Sequence, residues 1–126
     1  YKMIKVDHIG LYVSDIEAAK SFFETYFGAR AGEMYRNEKK GFCSYFLTFG
    51  DASRIEIMTR IGIDGNKALG NCHISFSVGG KNAVNALTER LRADGYEVID
   101  GPRTTGDGCY ESCVIGIDGN LIEITA

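Results

Sequence analysis

Two stretches of this chain repeat one another, which limits the fold to something built twice. HIGLYVSDIEAA opens at His8 and HISFSVGGKNAV opens at His73. Each copy closes on a glutamate between isoleucines, RIEIM around Glu56 and LIEIT around Glu123. The step from histidine to glutamate is 48 residues in the first copy and 50 in the second, and the chain has no other histidines. A repeat sets equivalent residues at equivalent points of one supersecondary unit. The two His and two Glu are therefore expected at matching places in matching halves.

At 126 residues the chain fits one compact domain, with 44% apolar and 25% charged residues and a net charge of −3. That balance offers no basic face for nucleic acid or an anionic membrane. No run approaches the ~20 apolar residues needed to span a bilayer. The opening YKMIKVDH reads as a strand rather than a secretory core, so a cytoplasmic protein is expected. Cys43, Cys72, Cys109 and Cys113 include no CxxC pair. They are expected as reduced, structural thiols, with Cys43, Cys109 and Cys113 buried in strands.

The turn-rich segment IGIDGNKALGN, residues 61–71, separates the halves. The division expected is a first module over 1–61, a linker over 62–71 and a second module over 72–126. In the first, MIKVDHIGLYV alternates as a strand, and Ser14 with Glu17 forms an S-x-x-E capping box. Ile16, Ala19, Phe23 and Tyr26 recur at helical spacing up to Gly28. A short strand near 31–36, then FCSYFLTF and SRIEIMT, complete the module. In the second, NCHISFSV is a strand, and Val84, Leu87 and Leu91 mark a helix face that stops at Gly95. YEVID, YESCVIGI and NLIEIT follow as strands, the last two joined through Asp118-Gly119, a hairpin signal. Each half reads β-α-β-β-β. The fold class is α+β, two tandem modules forming a curved mixed sheet.

Strand alternation sorts the faces. His8 lies with Gly10 and Tyr12, Glu56 with Arg54 and Met58, His73 with Ser75 and Ser77, and Glu123 with Leu121 and Thr125. The apolar residues between them pack under the helix of each half. A single histidine or glutamate on a strand is more often solvated than a ligand. Two such glutamates would be costly to bury unpaired, however, and the repeat delivers all four together. His8, Glu56, His73 and Glu123 thus suit one divalent first-row metal per site. Nickel or cobalt is favoured because either takes two waters to complete an octahedron, with zinc as the alternative.

With H-[IM]-x-[LF]-x-V openings and IE[IL] endings, the paired halves resemble the vicinal oxygen chelate superfamily over essentially the whole chain. Ligands in the order His, Glu, His, Glu look like glyoxalase I of the bacterial type. The resemblance implies a metal-dependent lyase or isomerase. It would convert the hemithioacetal of a 2-oxoaldehyde and a thiol into a 2-hydroxyacyl thioester, through an enediolate stabilised by the metal. By the same resemblance the base is a ligating glutamate, Glu123 first and then Glu56, and small members are homodimers with sites shared between chains. Glutathione-using members carry an arginine four residues after the first histidine and an asparagine four residues after the first glutamate. Here those positions are Tyr12 and Arg60, which do not match glutathione; a different thiol, a CoA ester or a small metabolite is compatible with them. Tyr12, Arg60 and Arg103, the last in the loop GPRTTGDG, are the candidate substrate contacts. Tyr35, Phe42, Tyr45 and Tyr110 are candidate pocket aromatics, and RNEKKG (residues 36–41) is an exposed turn. The alternatives are an acyl-CoA epimerase of the methylmalonyl-CoA type and a non-catalytic resistance-type module that binds a drug or metabolite.

Overall fold

The computed structural model describes residues 3–50 and 53–126. The chain divides into two compact units, residues 1–68 and 69–126.

The first unit runs β1 (Ile9–Tyr12), α1 (Ile16–Phe27), β2 (Arg30–Ala31), β3 (Tyr35–Asn37), β4 (Phe42–Phe49) and β5 (Ser53–Arg60). Its sheet has the order β1-β5-β4-β2, with β3 also on β4. β1 lies parallel to β5, and the other pairings are antiparallel. α1 is capped by Asp15, whose carboxylate accepts the Ala18 amide at 3.0 Å. The cap thus falls one residue beyond the predicted Ser14, and the Glu17 carboxylate accepts the Tyr45 hydroxyl at 2.7 Å. Gly28 ends the helix in the left-handed conformation, φ 65°, as its position predicts. Ala19, Phe22 and Phe23 bury the inner face of α1 against Leu11, Leu47, Ile55 and Ile57.

The predicted first strand is longer than the observed one. The ladder with β5 begins only at Ile9, opposite Ile55. Alternation alone cannot make a strand without a ladder partner, and Met3, Ile4 and Val6 stand exposed. The predicted strand near 31–36 divides into β2 and β3. Within RNEKKG, Arg36 and Asn37 end β3 and Glu38–Lys40 form an exposed 3-10 turn, with the Asn37 side chain accepting the Lys40 amide and Gly41 at φ 58° closing it.

The second unit runs β6 (His73–Ser77), α2 (Lys81–Ala93), β7 (Val98–Thr104), β8 (Tyr110–Ile115) and β9 (Leu121–Thr125). The sheet order is β6-β9-β8-β7, again with the first strand parallel to the last. Asp118 and Gly119 take φ 57° and 73° in the β8–β9 turn, the left-handed pair that an Asp-Gly hairpin requires. α2 buries Val84, Thr88 and Leu91, so Thr88 takes a place the apolar pattern assigned to Leu87. Its hydroxyl donates to the Val84 carbonyl at 2.6 Å and accepts from Ser112 at 2.7 Å, so both buried hydroxyls are paired. Each unit is a mixed sheet with one helix on one face, and the α+β class stands.

Candidate metal centre

In each unit the histidine stands at the start of the edge strand, and the glutamate is on the strand beside it. β1 pairs Gly10 with Glu56, and β6 pairs Ser75 with Glu123. Both histidines therefore sit two residues ahead of the position opposite their glutamate. His8 lies just before β1 rather than within it. Its Nε2 is 3.5 Å from Glu56 Oε1, and His73 Nε2 is 3.4 Å from Glu123 Oε2. Two donors each about 2.1 Å from one ion, at angles between octahedral and tetrahedral, are about 3.0–3.4 Å apart. The donor separation in each pair fits a shared ion. Imidazole nitrogen and carboxylate oxygen also match the chemistry of a divalent first-row metal. The four side chains are between one-fifth and one-half exposed, open enough for a ligand to approach.

The pairs differ in their surroundings. Around His8, Asp7 Oδ2 accepts from Nδ1 at 2.8 Å and from Arg54 Nη2 at 2.6 Å. The Arg54 guanidinium lies over the Phe46 ring at 4.6 Å, and His8 meets the same ring edge-on at 4.9 Å. The His8 hydrogen bond, followed by that of Arg54, holds the Asp7 carboxyl below its ordinary range. Around His73 the neighbours are different. Glu111 and Cys113 project from β8 on the Glu123 face, and their donor atoms all lie within 4.8 Å of one another and of Glu123. Desolvation first, and then the charge and hydrogen bond of Glu123, push the Glu111 carboxyl above the usual range. Sequence reasoning missed Asp7 and Glu111 as neighbours of the ligands, and it placed Arg54 beside Glu56 without its bond to Asp7. The signal for Glu111 was there, two residues from Cys113 on a strand that pairs with the one bearing Glu123.

The candidate substrate contacts fare unevenly. Tyr12 is half-buried on the Glu56 face of β1, opposite Met58, and Arg60 ends β5 exposed. Arg103 belongs to β7 rather than to a loop, because pairing with β8 continues past Pro102 to Thr104. Register shifts on both sides of Asp100 bring its carboxylate to Arg103, which donates to it from Nε at 2.9 Å and Nη2 at 3.0 Å. Tyr35 and Phe42 share the face of Glu56. Tyr45 and Tyr110 do not line it, since alternation turns both to the helix side. There Tyr45 bonds Glu17 and Tyr110 bonds Asn85. All four cysteines are free; Cys72 and Cys109 are exposed, and Cys43 and Cys113 are half-buried. Cys109 precedes β8 instead of lying inside a strand, so its expected burial does not hold.

The model of the Glyoxalase/Bleomycin resistance protein/Dioxygenase superfamily matches residues 5–124. The chain belongs to this superfamily. Among curated proteins, the uncharacterized YqjT of Bacillus subtilis is 27% identical over 131 residues, covering 94% of this chain and 96% of that protein. The trypanothione-dependent glyoxalase I of Leishmania major shares the fold with a TM-score of 0.79 at 17% identity, over 98% of this chain and 86% of that one. The fosfomycin resistance protein FosX of Listeria monocytogenes, in complex with Mn(II) and sulfate, aligns with a TM-score of 0.75 at 22% identity, over 99% and 93%. Among the described residues no helix is long and apolar enough to cross a membrane.

Proposed function

We propose that the two His–Glu pairs are halves of one His2Glu2 site for a divalent ion, and that the chain is a glyoxalase I-like lyase. The observation that carries this reading is the equivalence of the pairs. The same stagger between strands and nearly the same donor separation, 3.5 and 3.4 Å, recur in two units of different sequence. Glu56 is the discriminating residue, since superfamily enzymes with two His and one Glu have no need of it. Nickel or cobalt is the preferred ion, with zinc next. A homodimer with sites shared between chains is the proposed assembly.

When bound, the ion would supply Lewis-acid polarisation of the substrate oxygens. The chain supplies the rest. His8 and His73 hold the ion through neutral nitrogens, and the glutamates hold it through oxygen. Glu123 moves a proton from one carbon of the hemithioacetal to its neighbour, with Glu56 as the second choice for that role. To serve as the base, a ligating glutamate would have to loosen from the ion. Such release is required, because a carboxylate gripped by a cation is a poor base. Tyr12 and Arg60 are the proposed contacts to the thiol portion. Arg103 is already engaged by Asp100 and is not proposed as an anion contact. Incubating the protein, loaded in turn with nickel, cobalt and zinc, with methylglyoxal and a panel of thiols tests the reading. Thioester formation with at least one pair is expected, and no turnover with any would refute the activity.

A further inference from the structure

The internal repeat makes each unit a control for the other around its histidine. The residue before the histidine is Asp7 in the first unit and Cys72 in the second. The residue two before the glutamate is Arg54 against Leu121, and the one opposite the glutamate is Phe46 against Cys113. In the first unit these positions form a chain of contacts. Phe46 supports the Arg54 guanidinium, Arg54 fixes the Asp7 carboxylate, and the carboxylate bonds His8 Nδ1. Among the described residues no carboxylate accepts from Nδ1 of His73.

We propose that Asp7, steadied by Arg54, is a positioning residue that keeps the His8 proton on Nδ1 and turns the Nε2 lone pair toward Glu56. Its consequence for metal binding rests on the four-ligand reading above; its hold on the ring does not. The distances decide the tautomer. Nδ1–H to Asp7 at 2.8 Å is a full hydrogen bond to a charged acceptor, whereas Nε2 to Glu56 at 3.5 Å is at the outer limit of one. A ring that donates from Nδ1 to a carboxylate presents a fixed and more basic Nε2 to a metal. His8 is therefore the pre-set imidazole and His73 the one that orients on binding.

The chain's two histidines allow a direct test by ring nitrogen-15 NMR on the metal-free protein, read at the alkaline end of a pH series. Assignment comes from His73→Gln. His8 is expected as the Nδ1–H form, and His73 as a mixture or the Nε2–H form. In Asp7→Ala, His8 should move to the behaviour of His73. Affinity for cobalt or zinc, read by competition with a chromophoric chelator, should fall by about 10- to 100-fold. Asp7→Asn, which keeps an acceptor oxygen without the charge, should fall between. Asp7 is exposed, and an unchanged circular dichroism spectrum confirms the folded state of each variant. A His8 ring unaltered by Asp7→Ala would overturn the proposal, even if affinity dropped, since the carboxylate would then act as a distant charge only. A ring that responds in a protein that binds no divalent ion would uphold the role of Asp7 and refute the metal reading instead.

Discussion

Asp100 and Arg103 hold each other through two hydrogen bonds on β7, which keeps the guanidinium from an incoming anion. Asp100→Ala should release it, and sulfate or phosphate affinity measured by calorimetry should rise in that variant and return to its starting value in Asp100→Ala/Arg103→Ala. Arg103 also holds the Asp100 carboxyl below its ordinary range. Because the folded value lies under the unfolded one, the pair's contribution is present at neutral pH and is lost as pH falls through the folded value. Asp100→Asn should therefore lose less unfolding temperature below about pH 4 than the parent does. Both groups are exposed, so the difference should be small. At this scale the sequence was partly legible. The repeat identified His8, Glu56, His73 and Glu123, and alternation gave their faces. The grip of Asp100 on Arg103 was not readable, because it depends on register shifts in β7 that no periodic pattern encodes. Asp7 escaped notice because its role needs Arg54, 47 residues away, to be brought alongside.

Helix α1 and its neighbours illustrate how local signals compete. Ser14 and Glu17 have the spacing of a capping box, yet Asp15 takes the cap and Glu17 bonds Tyr45. Asp15→Ala should cost about 1 kcal/mol in chemical denaturation. In the second unit, Thr88→Val removes the hydroxyl that both donates to Val84 and accepts from Ser112. It should destabilise by about 1–3 kcal/mol, since Ser112 is left buried without its partner. Strand identity was readable wherever a partner strand existed, as for β4, β5, β8 and β9. It failed over residues 3–8, which the ladder with β5 does not reach. The helix faces were readable in position but not in every residue, because a buried threonine satisfied by its own helix looks polar in sequence.

For the whole molecule, duplication is the organising fact. Two units of different sequence keep the same parallel pairing of first and last strands and the same offset between histidine and glutamate. In each unit the helix packs on one face of the sheet, and the glutamate lies on the other. Gly65 ties the end of the first unit to β1, because a Cβ there would lie 2.1 Å from the Val13 backbone. Gly65→Ala should lower stability by about 1–3 kcal/mol in chemical denaturation through that overlap. The superfamily and its α+β fold were legible from the repeat and its flanking pattern. The substrate was not, because Tyr12 and Arg60 depart from the residues that grip glutathione and their own chemistry admits several partners.

Metal titration of the purified chain and of its Glu56→Gln and Glu123→Gln variants tests the central claim most directly. One divalent ion per chain is expected. Each substitution, though made in a different unit, should weaken that same binding event by tenfold or more. Affinity and stoichiometry unchanged in Glu56→Gln, or two independent ions each lost with only one of the substitutions, would contradict a single site built from both pairs.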